Sequence, residues 1–264
     1  MSRETDPHAH SCAADSAGVP WAGRSFHANP HADDDGAADP ALLAALVAFR
    51  DGAGGAASVV DAYRAARLLI PLVAQAGGEE RETGPHGLEV DKTQELSIVT
   101  VAGPDGRHVL PVFTSVETLA RWDQAARPVP ADGVRTAVAA ADDGSTDLIV
   151  IDPGSETEFV LRRPAVWAVA QRQPWEPAPE SPEVFAALQE SVGHELGVLD
   201  LTVAAGDPDA RMSGPELVVR LHLIDGLDQG ELDAILQRLA ARWAADHRIA
   251  VLVDSLTVKL VRTP

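Results

Sequence analysis

Cysteine is nearly absent from this chain, which has one, Cys12, in 264 residues. A disulfide within the chain is therefore excluded, as are paired-cysteine zinc knuckles and CxxC redox pairs, which need at least two thiols. No eighteen apolar residues run together, as a membrane-spanning helix would require. The N-terminal residues are polar and acidic and lack the apolar stretch of a secretory signal. We therefore expect a cytoplasmic protein.

Basic residues are also scarce. The chain has 21 Lys and Arg against 40 Asp and Glu, a formal net charge of -19. Its only lysines are Lys92 and Lys259, and acids exceed bases in the N-terminal, central and C-terminal parts alike. Such a field repels nucleic acid and anionic membrane surfaces unless a basic stripe overcomes it, and the sequence contains no such stripe. We expect neither as a partner.

Apolar residues make up 45% of the chain, enough at this length for the core of one or two domains. Residues 1–39 have almost no aliphatic side chains and should form a flexible arm. The segment 174–182 is rich in proline, which favours an extended, semi-rigid linker at a domain boundary. The pattern predicts an α+β fold with two small domains, 40–173 and 183–264, each a mixed or antiparallel sheet packed with helices.

Local signals predict the first elements of the N-terminal domain. Asp39 before Pro40 should begin a helix, and Ser58 should cap a second one. Leu68–Ala74 is continuously apolar and is typical of a strand buried on both faces, although Pro71 favours an edge or a bulge.

A hairpin and a capped helix are expected next. The turn at 103–106 should join the strands Leu96–Ala102 and Arg107–Phe113. Thr114 stands three residues before Glu117, the spacing of a capping box.

Further along, Val134–Ala141 fits a helix or a strand equally well, and so does Ala165–Ala170. Leu148–Ile151 and Phe159–Leu161 should form a second hairpin around Asp152-Pro153-Gly154.

The C-terminal domain should follow the order α-β-β-α-β. Its predicted parts are a helix from Ser181 and Pro182, strands at Leu196–Val203 and Leu217–Ile224, a helix capped by Asp228 and Glu231, and a final strand made of Ile249–Val253 and Leu256–Val261.

No catalytic constellation is evident. Gly52-Ala53-Gly54-Gly55 follows a helix and lacks the Lys-Ser/Thr of a phosphate loop, and His194-Glu195 has no second histidine four residues on. Five residues of the arm could ligate zinc or nickel, but their spacing is loose, so weak adventitious binding is the better expectation. They are His8, His10, Cys12, His27 and His31. We therefore expect no catalytic residue, metal or cofactor.

Candidate binding residues are arginines and tryptophans. Arg162 and Arg163 follow a predicted strand and could clamp an anion or an acidic segment of a partner, or they could point apart and pair with local carboxylates. Trp175 stands in the proline segment as an interface anchor or an interdomain plug. Trp122 and Trp167 complete the candidate set.

Two stretches carry a family resemblance: HVLPVFTSVETLARW from His108 and DPGSETEFVLRRPAVWAVAQ from Asp152. With Leu69-Ile70-Pro71, they resemble the actinobacterial branch of the enhanced serine sensitivity (SseB) protein family. The resemblance implies an α+β N-terminal family domain over roughly 40–173, and residues 181–264 are similar to the family's C-terminal domain. It implies no reaction and carries over no catalytic residues.

These observations favour a non-enzymatic protein-interaction or regulatory module that binds a protein partner or a second copy through sheet edges and the Trp-Pro surface. The alternative is a small-anion or metabolite sensor that uses Arg162, Arg163 and loops near Phe113. A small-molecule ligand is possible on this view but not indicated.

Overall fold

The computed structural model describes residues 34–74, 82–83, 89–90, 96–98, 100–103, 105–144 and 146–262. The described residues from Gly36 onward form one compact unit. Residues 1–33 of the predicted flexible arm, which include its five candidate metal ligands, lie outside the described residues.

The fold is α+β, as predicted. In its first half the elements are α1 (Pro40–Arg50), α2 (Ala56–Ala65), β1 (Arg67–Ala74), β2 (Glu82–Thr83), β3 (Glu89–Val90), β4 (Leu96–Ile98), β5 (Val101–Ala102), β6 (His108–Val112), α3 (Val116–Trp122), β7 (Arg127–Asp132), α4 (Gly133–Asp142), β8 (Leu148–Ile151), β9 (Phe159–Leu161) and α5 (Arg163–Ala170).

The second half begins with a 3-10 turn at Ala178–Glu180. It continues with α6 (Pro182–Val192), β10 (Val198–Ala205), β11 (Leu217–Leu223), α7 (Gln229–Ala245), α8 (His247–Leu252) and β12 (Leu256–Arg262).

Three sheets carry the architecture. The first has the order β4-β1-β7 and is antiparallel, and the second, β5-β6-β8-β9, contains a parallel β6–β8 pair. The third, β10-β11-β12, has a parallel β11–β12 pair. A short β2–β3 pair lies apart from them. A bridge between Leu69 and Phe113 joins the first two sheets.

The apolar cores follow the order of the chain. The largest packs α1, α2, α4 and α5 against β1, β6, β8 and β9, with Tyr63 and Ile149 fully buried. A second core packs the helices α6, α7 and α8 on the β10-β11-β12 sheet around Leu188 and Leu239. The proline segment 174–182 contributes Trp175 to the edge of the first core and Ala178 to the second.

Helix starts were predicted well where the cap is local. Asp39 accepts from the backbone N–H groups of Ala41 and Leu42, and Asp228 forms a capping box with Glu231. Ser58 was the wrong cap for α2, because Gly55 precedes the first turn and Ser58 donates its own N–H to the Gly55 carbonyl.

The cap of α3 was misplaced by one residue. Ser115, not Thr114, caps the helix, and its capping box is with Thr118. Thr114 instead donates its backbone N–H and its hydroxyl to the buried Asp152 carboxylate, at 2.8 and 2.7 Å.

Pro71 lies in a central strand, so the prediction of an edge or a bulge was wrong. Pro71 pairs with Pro128 of β7. In an antiparallel ladder hydrogen-bonded and non-hydrogen-bonded pairs alternate, and two prolines fit a non-hydrogen-bonded pair, in which neither residue donates its N–H to the other. On its opposite edge, β1 hydrogen-bonds to Phe113 at Leu69 and pairs with β4 from Leu72 onward. Pro71 lies between these two stretches, so the N–H that it lacks is not needed by either Phe113 or β4.

Two other strand predictions need correction. Leu96–Ile98 pairs with β1, so the predicted hairpin is limited to β5 and β6. Ile249–Leu252 belongs to helix α8, because the Asp246 side chain accepts the Arg248 N–H and starts a helical turn. The two ambiguous segments are both helical, within α4 and α5. The second hairpin, β8–β9, is confirmed.

No helix among the described residues is long and apolar enough to cross a membrane.

Candidate functional site

Arg162 is the centre of a buried polar network. It lies between the end of β9 and the first turn of α5, and its side chain is 7% exposed. Its Nη2 donates to Asp207 Oδ2 at 2.6 Å and to the Gly214 carbonyl at 2.9 Å. Its Nη1 donates to Asp254 Oδ2 at 3.1 Å and to the Ser255 hydroxyl at 3.2 Å. The guanidinium is therefore committed to partners within the chain.

Asp254 receives a second arginine. Arg107 Nη1 donates to Asp254 Oδ2 at 2.8 Å, and the Asp254 side chain is 1% exposed. Burial alone would raise the pKa of Asp254, but the hydrogen bonds and charges of Arg107 and Arg162 outweigh it and hold this pKa below its usual range. Its Oδ1 is buried and has no hydrogen-bond partner among the described residues.

Asp207 organises the loop between β10 and β11. Its carboxylate accepts the backbone N–H groups of Arg211, Met212 and Ser213 as well as the Ser213 hydroxyl. Burial opposes ionisation, but the bonds from Ser213 and Arg162 outweigh it, so the pKa of Asp207 is lowered. The loop is thus held in one shape by an ionised carboxylate.

Glu216 is the buried acid with the opposite behaviour. Burial, reinforced by the charge of Asp254, raises the pKa of Glu216 to about 7. Its Oε2 accepts the Asp254 backbone N–H at 2.7 Å. A carboxyl group that titrates near neutrality is therefore in contact with the network of Arg162 and Asp254.

Arg163 lies in different surroundings from its neighbour. Its guanidinium carbon is 5.8 Å from the centre of the Trp167 ring, and it forms no ion pair among the described residues. Trp167 is 36% exposed. The pair is a cation–π contact at the surface.

Trp167 and Trp175 line a common cleft of about 460 Å³, which we call the Trp-Pro cleft. Its other lining residues are Pro164, Ala168, Gln171, Gln173, Pro174, Glu176, Ser181, Glu183, Val251 and Leu252.

The structure brings three of the five predicted binding residues together: Arg163 and Trp167 in contact, and Trp175 across the same cleft. Arg162 is buried in the polar network instead. Trp122 packs on Phe113 with ring centres 5.3 Å apart, in a small core beneath α3.

One strand edge also presents apolar side chains. β10 pairs with β11 alone among the described strands. Leu196 and Leu199, just before and within this strand, are 97% and 59% exposed. The predicted strand began at Leu196, two residues too early, so this exposure was not anticipated.

Sequence reasoning missed the acids that hold Arg162. Asp207 and Asp254 are 45 and 92 residues away from it along the chain, and nothing local marks them as its partners. The only available signal was the break at Asp254-Ser255 between two apolar runs.

One comparison bears on the identity of the first half. Residues 42–168 match the SseB protein N-terminal domain. This confirms the resemblance to the SseB family over what we call the SseB segment. Comparison with curated proteins and with solved structures gives no match.

The SseB segment runs from the first turn of α1 into α5, so it contains Arg107, Arg162, Arg163 and Trp167. The carboxylates that hold Arg107 and Arg162 come from beyond it, at Asp207 and Asp254. The polar network therefore ties the SseB segment to the rest of the compact unit.

Proposed function

We propose that this protein is a non-enzymatic interaction module that binds an extended, apolar segment of a partner protein in the Trp-Pro cleft. The observation that carries the proposal is the exposed cleft that Trp167 and Trp175 line together, with the Arg163 guanidinium against the Trp167 ring beside it. Tryptophan and arginine are the residues in which protein-binding energy is most often concentrated.

The cleft is suited to binding without large rearrangement. Prolines that line the cleft restrict its backbone, so less conformational entropy is lost when a partner binds. Arg163 already lies over one face of the Trp167 ring. Glu176 and Glu183 line the cleft as well, so a partner segment with a basic residue beside its apolar anchor would fit best.

A regulatory rather than a catalytic role is supported by the pairing of the buried charged side chains with one another. Arg107, Arg162, Asp207 and Asp254 neutralise one another within the chain, and removing one partner of such a buried network is destabilising. The exposed edge of β10 offers a second surface, through which two copies could pair as strands.

The finer assignments belong to the same proposal. We place the chain in the actinobacterial branch of the family and residues 183–264 in a C-terminal domain of SseB type, on the sequence likeness given above. A cytoplasmic location is supported by the near absence of cysteine.

The test is site-specific photocrosslinking in the full-length chain. A photoreactive phenylalanine analogue at position 167 should give a saturable crosslink to one partner, or to a second copy, that an excess of unlabelled protein competes away. The matched control is position 185, because Phe185 is 39% exposed and does not line the cleft. Equal crosslinking from both positions would contradict the proposal.

The alternative remains an anion or metabolite sensor. One observation favours it: Arg163 and Arg107 both line a cleft of about 550 Å³ beside Ser213 and Gly214. A phosphorylated or carboxylated metabolite that raises the melting temperature of the native chain, but not of the Arg163→Gln variant, would support the sensor. Arg163 is the better target, because replacing the buried Arg162 would also unbalance Asp207 and Asp254.

A further inference from the structure

A separate cavity of about 320 Å³ lies between the SseB segment and the third sheet. It is formed by the glycine-rich turn after α1, the end of β9, the proline segment and the loop that follows β10. Its volume falls in the range of small-ligand sites. The glycines at positions 52, 54 and 55 leave this part of the wall without side chains.

The cavity has aromatic walls. Phe49 and Phe159 meet edge to face, with ring centres 5.0 Å apart and an interplanar angle of 82°. Trp175 lines this cavity as well as the Trp-Pro cleft. Its Nε1 is buried and has no hydrogen-bond partner among the described residues.

The charge available in the cavity is negative. Its lining includes Glu216, Asp207, Glu180 and Arg162. Arg162 and Asp207 neutralise each other at 2.6 Å, and Arg162 is also bonded to Asp254. Glu216 and Glu180 form no ion pair among the described residues. Glu216 accepts the backbone N–H groups of Asp254 and Ala178, and the remaining lone pairs of its carboxyl group can interact with a ligand.

Glu216 is the better placed of the two acids. It is buried, whereas Glu180 is exposed to solvent. The charged groups that act on Glu216 are Asp254, which disfavours its ionisation, and Arg162, which favours it. A cation bound beside Glu216 would offset both its burial and the repulsion from Asp254.

We propose that this cavity binds a small organic amine: its ammonium group contacts Glu216, and its apolar or aromatic body packs against Phe49, Phe159 and Trp175. Aromatic faces attract a cation as well as an apolar body, so both parts of such a ligand are accommodated. An anion is disfavoured by Glu216, by Glu180 and by the net charge of the chain. This site is distinct from the Trp-Pro cleft, although Trp175 borders both.

Calorimetric titration of the full chain with three probes of similar shape tests the proposal. The probes are phenethylamine, the neutral phenethyl alcohol and the anionic hydrocinnamate. At about pH 8 the Glu216 carboxyl is largely ionised and the amine is charged. We expect saturable binding of phenethylamine, binding of the alcohol at least about tenfold weaker, and no binding of hydrocinnamate.

Two variants locate the site. Glu216→Gln should weaken phenethylamine binding by at least about tenfold. Ala205→Leu should also weaken it, because Ala205 lines the cavity and the larger side chain takes up part of its volume while Glu216 is retained. Trp167→Ala should bind phenethylamine normally, since Trp167 lines only the Trp-Pro cleft of the two sites.

The melting temperature of each variant is measured as well, which distinguishes a loss of binding from a loss of folding. If Glu216→Gln does not fold, Ala205→Leu provides the decisive result. Equal binding of the three probes, or undiminished amine binding in a folded Glu216→Gln or Ala205→Leu variant, would overturn the proposal, as would the absence of saturable phenethylamine binding to the native chain.

Discussion

At the scale of single residues, Asp254 and Asp105 show how burial decides the strength of an ion pair. Both carboxylates bond Arg107, but the Asp254 side chain is 1% exposed and that of Asp105 is 37% exposed. A buried carboxylate shared by two guanidinium groups cannot be removed without leaving positive charge in a medium that solvates it poorly.

We therefore predict unequal effects of two matched substitutions. Asp254→Ala should lower the free energy of unfolding by about 3 kcal/mol or more, because Arg162 and Arg107 lose their common acceptor. Asp105→Ala should cost less than about 1 kcal/mol, as exposed pairs do. Urea denaturation of both variants measures the difference, and similar losses would show that the network does not stabilise the fold.

The raised pKa of Glu216 predicts how the stability of the fold depends on pH. Its pKa rises from an ordinary value of 4.5 to about 7 in the folded chain, so the folded state binds its proton more tightly than the unfolded state. The resulting stabilisation is complete below about pH 4.5 and is lost as pH rises through about 7. At about 1.4 kcal/mol per pKa unit, the loss is on the order of 3 kcal/mol.

Denaturation of the native chain and of Glu216→Gln between about pH 5 and pH 8 measures this contribution. The native chain should lose more stability than the variant over that interval. Glu183→Gln, at an exposed position of α6, is the control and should follow the native chain. Parallel curves for the native chain and Glu216→Gln would refute the assigned role of burial.

At the scale of secondary-structure elements, α7 depends on a cap that the sequence already reveals. Asp228 accepts the Glu231 N–H at 2.8 Å, and Glu231 Oε2 accepts the Asp228 N–H at 3.0 Å. Both bonds satisfy donors that a helix otherwise leaves unpaired at its first turn. The helix carries Ile235, Leu239 and Trp243 into the second core, so its start matters beyond its own residues.

Replacing Asp228 with Ala should lower the free energy of unfolding by about 1 kcal/mol. Asp225→Ala, in the turn just before, removes a similar exposed carboxylate without a capping bond and should be nearly neutral. Thermal denaturation of the two variants is sufficient to compare them. A larger effect of Asp225→Ala would assign the stabilisation to charge rather than to capping.

Elements whose signals are local were predictable, and elements defined by distant partners were not. Asp39-Pro40 and Asp228 stand beside the helices they start, and the β8–β9 hairpin has its turn residues between its strands. By contrast, Leu96–Ile98 could pair with either β6 or β1, and only the tertiary structure selects β1. The apolar run Ile249–Val253 was too short for periodicity to distinguish helix from strand.

The same reasoning applies to the candidate site. Composition and position identified Trp167 and Trp175, which share the Trp-Pro cleft, and Arg163, which lies against the Trp167 ring. Arg162 and Arg163 are neighbours in sequence but lie in different environments. The Arg162 side chain is buried in the network of Asp207 and Asp254, whereas Arg163 lies at the surface. Alternation along the backbone predicted that the two would point apart, but not which one would be buried.

At the scale of the whole molecule, the two largest apolar cores are built from consecutive parts of the chain, and a buried polar network lies between those parts. The first core draws on residues up to Trp175 with Ala210 at its margin, and the second draws on residues from Ala178 onward. Arg162, Arg107, Asp207 and Asp254 lie where the parts meet. This arrangement is compatible with the predicted linker at 174–182.

We predict that a fragment of residues 174–264 folds by itself, since it keeps the whole second core including Ala178. It should melt cooperatively but at a lower temperature than the full chain, because Asp207 and Asp254 lose their arginines. Circular dichroism melting of the fragment tests this, and a fragment carrying Asp207→Asn and Asp254→Asn should recover part of the loss. A molten or aggregated fragment would show that the two parts form a single cooperative unit.

The antiparallel pairing of β1 with β7 also bears on the order of folding. Leu68 must find Ala131, whereas Ala205 of β10 meets Leu217 of β11 across a short loop, and Ile151 meets Phe159 in the same way. Closing the longer loop costs about 1.5 kcal/mol more in chain entropy than closing the β10–β11 loop. The local hairpins should therefore form early, and the docking of β1 on β7 should limit the rate at which the SseB segment reaches its native state.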